Sequence, residues 1–113
     1  MSDCIFCKII AGEIPSDKIY EDDMTVAFRD LHPQAPVHFL VVPKKHIECA
    51  ADITAENSAE VARCFEVIAK LAEQEKLQGG FRVINNCGEN AGQTVPHIHF
   101  HVLAGEVMGE KII

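Results

Sequence analysis

The sequence predicts an α+β domain on a largely antiparallel sheet. Five strand-like segments fall into a run of three and a run of two. One long amphipathic stretch separates the runs, and one short helical stretch precedes them. A helix that crosses between strands leaves one parallel pairing open.

Residues 4 to 11 place Ile5, Phe6, Ile9 and Ile10 at helical spacing, and Gly12 is the stop. Lys18 to Glu21 and Thr25 to Asp30 read as two strands joined at Asp22 and Asp23, a hairpin turn. Residues 32 to 36 contain Pro33 and Pro36, so they form a loop. Val37 to Val42 is apolar and β-branched, a buried strand that Pro43 ends. Residues 57 to 77 form the clearest helix, with Val61, Phe65, Ile68, Leu71 and Ala72 at three- and four-residue steps. Gly79 and Gly80 stop it, and Cys64 lies on or beside its apolar stripe. Phe81 to Asn85 is a strand, Gly88 to Gln93 a loop, and His97 to Leu103 a last strand of alternating histidine and apolar residues.

The 113 residues make one domain, 1–113, with a modest core that dimerisation would enlarge. No apolar run approaches the ~20 residues that span a bilayer. Met1 to Cys4 has neither a basic nor an apolar leader region, so the expected location is cytoplasmic, without membrane contact. A net charge of −7 argues against a nucleic-acid partner, which needs a basic face. Cys4, Cys7, Cys49, Cys64 and Cys87 are odd in number, so a disulfide framework is not expected.

The chemistry is concentrated in His97-Ile98-His99-Phe100-His101. Strand alternation puts the three imidazoles on one face, about 7 Å apart, and Ile98, Phe100 and Val102 on the other. Such a row suits nucleophilic and acid–base work on a phosphate, because neutral imidazole attacks well near neutral pH. It also suits a metal. The bland alternative is a set of exposed strand histidines. Gly92, Gln93, Thr94 and Val95 just upstream supply N–H, amide and hydroxyl donors, which favour phosphate oxygens over a cation.

Residues 92 to 103 resemble the histidine-triad signature with its glycine-glutamine-serine/threonine prefix. Residues 4 to 15, 28 to 38 and 39 to 47 match three further blocks in the same order. The resemblance covers nearly the whole chain and is nearest the Hint-like branch of nucleoside phosphoramidases. It implies a five-stranded antiparallel sheet with two helices, and a homodimer in which two sheets join into ten strands with the long helices packed together. It implies a hydrolase that cleaves the bond from a purine nucleotide's α-phosphorus to its leaving group. His99 would be the nucleophile, forming a nucleotidyl-histidine intermediate. His101 would contact the α-phosphate, and His97 and His38 would complete the imidazole network. Asp30 would accept both ribose hydroxyls. Ile5, Phe6, Ile9, Phe28 and Leu31 would wall the base, while Asn86, Gln93, Thr94 and Val95 would hold the phosphate and leaving group. By residue chemistry alone Asp30 could cap the turn into His32, the apolar residues could be plain core, and Asn86 could serve a turn.

Cys4 and Cys7 need two more ligands to close a tetrahedral zinc site. The resemblance supplies His46 and His97, giving a structural zinc and no catalytic metal. Reduced thiols or a redox pair are the alternatives. A nucleotide-binding scaffold with incidental slow hydrolysis, and a metal-dependent hydrolase, stand beside the phosphoramidase reading. The tail from Gly105 to Ile113 matches no block.

Overall fold

The computed structural model describes residues 4–112. Met1 to Asp3, which bear on the leader expectation, and Ile113 lie outside it. Helix α1 spans Ile5–Ile10, and strands β1, β2 and β3 span Lys18–Glu21, Thr25–Arg29 and Val37–Pro43. Helix α2 spans Ser58–Gln74, followed by β4 at Arg82–Ile84 and β5 at Phe100–Ala104. The sheet order is β1-β2-β3-β5-β4, and each pairing among the described residues is antiparallel. The α+β expectation therefore stands, and the parallel pairing left open by the crossover helix does not occur.

Period-two alternation divides the sheet between two layers. Ala27, Phe39, Val41, Phe100 and Val102 turn to one face, where α2 covers them with Cys64, Val67, Ile68 and Leu71. Val26, Phe28, Leu40 and Val42 turn to the other, where α1 covers them with Phe6 and Ile9. His38 and His101 share that second face, because Phe39 pairs with Val102 and Leu40 pairs with His101. Phe39, fully buried at the centre of β3, anchors the α2 layer. Phe39→Ala is expected to cost about 3–5 kcal/mol, a large part of the stability of a small domain. Urea unfolding checks this, and a loss below about 1 kcal/mol would contradict the packing described.

Side chains close the β1–β2 hairpin and fasten it to α2. Asp22 Oδ1 accepts the N–H groups of Met24 and Thr25, each at 2.8 Å, so the aspartate makes the turn. Its Oδ2 accepts from Arg63 of α2 at 2.8 and 3.0 Å.

Several boundaries differ from the sequence reading. Helix α2 ends at Gln74, before the Gly79-Gly80 stop, because Lys76 takes the left-handed conformation at φ 60°. Leu77 N–H then donates to Ala72 O at 2.9 Å, which satisfies a terminal carbonyl. The buried stripe runs through Cys64, Val67, Ile68 and Leu71, whereas Phe65 stays 48% exposed and meets Phe100 edge-on. β4 is shorter than 81–85, and Glu89–Ala91 of the expected loop is a 3-10 turn. β5 begins only at Phe100, so His97 and His99 precede the strand. Pro96 offers no N–H, and His97 N–H turns back to Val95 O at 2.8 Å, which keeps this stretch out of the β ladder.

Beyond β5, Gly105 passes Pro36 so closely that a Cβ there would stand 2.8 Å from the proline Cβ. No helix of the described residues is long and apolar enough to cross a membrane.

Candidate active site

Although His97 and His99 lie off the strand, the chain stays extended enough for Ile98 to bury on the α2 side with Phe100 and Val102. His97 and His99 are buried at 0% and 6% exposure. Each imidazole is fixed by a partner whose role is unambiguous. His99 Nδ1–H donates to its own neighbour's carbonyl, His97 O, at 2.8 Å, leaving Nε2 with a free lone pair. His97 Nε2–H donates to Pro43 O at 2.8 Å, leaving Nδ1 as the lone-pair nitrogen. Gln34 N–H donates to His38 Nδ1 at 3.0 Å, so His38 carries its proton on Nε2. That proton is given to His101 Nδ1 at 3.0 Å, which leaves His101 with an Nε2–H donor. Three backbone groups thus orient four imidazoles, which leaves a lone pair on His99 Nε2, an N–H on His101 Nε2 and a lone pair on His97 Nδ1.

Burial holds His99 and His101 below the ordinary imidazole range. His101 is pushed down to about 4, by burial first and then by His99 and His38. His99 is lowered by burial, against which its bond to His97 O and the Asp30 carboxylate favour the charged ring. Both rings are therefore neutral at pH 7. Between pH 6.5 and about 4, the unfolded chain binds a proton at His101 that the folded chain refuses. Stability is therefore full above 6.5 and falls as the pH falls through that window. Urea midpoints at pH 8, 6 and 5 check the sign, and a rise toward acid would contradict it.

His99 and His101 face a cavity of about 250 Å3. Ile5, Phe6, Ile9, Phe28, Asp30, Leu31, Thr94, Val95, His99 and His101 all line it, ten of the residues singled out in the sequence. Phe6 meets His99 edge-on with ring centroids 5.0 Å apart, so α1 also steadies the His99 ring. Asp30 Oδ1 accepts His32 N–H at 2.8 Å, so the aspartate does cap its turn, while Oδ2 lies 3.5 Å from His38 Nε2.

Asn86, Gln93, His38 and His97 do not line the cavity. Gln93 is engaged as a brace: its Oε1 accepts Gly88 N–H at 2.8 Å and its Nε2 donates to Glu48 O and Val95 O at 2.8 and 3.0 Å. This holds the 88–95 loop, which turns at Gly92 with φ 87°, against the end of β3. Sequence reasoning missed Ile14, Pro15, Ser16, Asp17, Arg29 and Leu40 in the lining. Leu40 was legible, because it alternates with His38 on β3. The buried Ser16 hydroxyl has no hydrogen-bond partner among the described residues, and no motif announced it.

The fully buried His97 points away from the cavity. Its Nδ1 lies 3.1 Å from His46 Nδ1, 3.3 Å from Cys4 Sγ and 3.6 Å from Cys7 Sγ. Cys7 Sγ lies 3.4 Å from His46 Nδ1. The edges of a tetrahedral zinc site are about 3.3 Å between nitrogens and about 3.6 Å between nitrogen and sulfur. The four ligand atoms, all within 4.8 Å of one another, therefore fit a divalent metal in both donor type and spacing. Asp30, His38 and His101 also cluster. There, however, His38 Nε2 carries a proton and His101 Nδ1 accepts it, so that group is a hydrogen-bond relay.

The model of the HIT domain family matches residues 11–108. The chain belongs to the HIT family. Within the family, this HIT protein is 46% identical over 109 residues to the Escherichia coli K12 purine nucleoside phosphoramidase, covering 96% of this chain and 92% of that one. It superposes on a HIT family hydrolase from Clostridium thermocellum with a TM-score of 0.97 at 43% identity, covering 100% of this chain and 99% of that one. A histidine triad protein from Clostridium difficile gives a TM-score of 0.94 at 52% identity, covering 98% and 97%. The HIT fold expected from the four sequence blocks is thus the fold of this domain.

Proposed function

We propose that this HIT protein is a purine nucleoside phosphoramidase that works through a nucleotidyl-histidine intermediate on His99. The observation that carries the reading is the Nδ1–H bond from His99 to His97 O. It makes Nε2 a neutral, oriented lone pair at the wall of a nucleotide-sized cavity. A module that only binds nucleotides has no need of that orientation.

His99 Nε2 attacks the α-phosphorus as the phosphorus–nitrogen bond breaks. The leaving nitrogen takes a proton from solvent at the open mouth and departs as an amine. The phosphorylated ring is cationic, and His97 O and the Asp30 carboxylate favour that charge. His101 Nε2–H, held by His38, donates to a phosphoryl oxygen. Water then cleaves the bond to His99, giving the nucleoside monophosphate and the neutral imidazole. Ile5, Phe6, Ile9, Phe28 and Leu31 wall the base, and Asp30 takes the ribose hydroxyls. Thr94 and the Val95 N–H hold the phosphate, on a loop that Gln93 sets.

Cys4, Cys7, His46 and His97 hold a structural zinc, which pins the N-terminal segment to the sheet and takes no part in the reaction. Two copies form a homodimer. The β4 edge is open, and Phe65 and Phe81 are 48% and 41% exposed, apolar area that a second copy would cover. The surroundings that suit the free thiols are reducing, as in cytoplasm.

Steady-state release of AMP from adenosine 5′-phosphoramidate tests the reading. Turnover by wild type supports it, and none with adenosine or guanosine substrates contradicts it. Asp30→Asn is expected to lower kcat/KM about ten- to a hundredfold, as the loss of one charged ribose contact worth about 1.5–3 kcal/mol. A 2′,3′-dideoxy substrate should show the same drop in wild type and no further drop in the mutant.

A further inference from the structure

One short helix serves both the cavity and the metal cluster. Ile5, Phe6 and Ile9 of α1 line the cavity. Cys4, at the N-cap, and Cys7 flank Ile5 and Phe6, and their sulfurs lie 3.3 Å from His97 Nδ1 and 3.4 Å from His46 Nδ1. Cys4 Sγ also accepts Cys7 N–H at 3.3 Å, so a cluster sulfur caps the helix. A six-residue helix does not persist alone, since isolated helices shorter than about 12–15 residues are marginal in water. α1 keeps its place by its seat on β2 and β3 and by the two thiols. Among the described residues, Phe6 is the one aromatic ring that joins the two sites. It meets His97 of the cluster with centroids 5.9 Å apart, and Phe28 and His99 of the cavity at 5.6 and 5.0 Å.

We propose that the metal cluster and the base pocket are coupled through α1, with Phe6 as the positioning residue. A divalent metal shared by Cys4, Cys7, His46 and His97 and a purine base packed on α1 favour each other, because both need the helix in the same place. By linkage, the metal tightens the nucleotide and the nucleotide tightens the metal by the same factor. The dependence belongs to the base, since Asp30 is fixed by its turn to His32 and not by α1. The proposal rests on the nucleotide reading of the cavity, and it concerns affinity rather than the reaction.

Calorimetry of the full chain, zinc-loaded and chelator-stripped, tests it with AMP and with ribose 5-phosphate, which lacks the base. Stripping is expected to weaken AMP about tenfold and ribose 5-phosphate less than about twofold. Zinc affinity, read by competition with a chromophoric chelator, should rise by the same factor when AMP saturates the protein. His46→Ala leaves α1 intact, and should hold AMP as stripped wild type does and ignore added zinc. Phe6→Leu should take up zinc as wild type does, yet bind AMP almost equally with and without it. Equal AMP affinity in loaded and stripped wild type would overturn the coupling. So would an equal loss for ribose 5-phosphate, a full zinc effect in Phe6→Leu, or no zinc uptake by wild type. Absence of AMP and GMP binding in every state would overturn the nucleotide reading, and the coupling with it.

Discussion

His99→Ala is expected to lose turnover by roughly ten-thousand-fold or more, while its affinity for AMP stays within a few-fold of wild type. The asymmetry follows from the geometry. His99 Nε2 is the lone pair at the cavity wall, because His101 turns an N–H outward and His97 turns its lone pair to Cys4, Cys7 and His46. The contacts proposed to bind the nucleotide, Asp30 and the apolar wall around Phe28, do not pass through His99. Single-turnover kinetics and calorimetry with AMP separate the two quantities. A mutant that turns over like wild type would remove His99 from the mechanism. A mutant that loses binding and turnover in parallel would make it a structural residue.

Treatment with a chelator is expected to lower the melting temperature by about 15 °C. A ligand held at about a thousand times its dissociation constant stabilises the folded state by about 4 kcal/mol, and each kcal/mol is worth about 4 °C in a domain of this size. The loss is reversed by zinc and absent in His46→Ala, whose ligand set is already broken. Turnover should fall far less than in His99→Ala, because the cluster reaches His99 only indirectly, through Phe6 of α1 and through His97. That residue faces the cluster with Nδ1 and holds His99 with its carbonyl. Scanning calorimetry of wild type and His46→Ala, with and without chelator, checks this. Equal melting temperatures in all four samples would contradict a bound structural metal.

What could be read from sequence follows a physical divide. Alternation was legible on β5, where His101 takes the face opposite Phe100 and Val102, whereas β2 and β3 are buried on both faces and read only as continuous apolar runs. The strand at His97 was misread because histidine–apolar alternation survives in extended chain that makes no ladder. Only backbone hydrogen bonding separates the two, and Pro96 is where it fails. Lys76 ended α2 in a left-handed conformation that sequence assigned to the glycines beyond it. Phe65 looked like core by spacing, yet it sits at the margin of the stripe that Cys64 and Leu71 centre. In the site, ten of the residues singled out in the sequence line the cavity, and Ile14 to Asp17 between α1 and β1 line it without having been singled out. Ser16 and Asp17 carry no pattern, and they reach the cavity only because α1 docks across β2 and β3. Gln93 was legible as a donor but not as a brace, since its partners at Glu48 and Gly88 depend on the fold.

Rapid-quench mass spectrometry with adenosine 5′-phosphoramidate is the measurement to make. The mechanism predicts an adenylyl adduct that maps to His99, appears before free AMP and is absent in His99→Ala. AMP release with no adduct at any time, or an adduct on His101 or another residue, would contradict it.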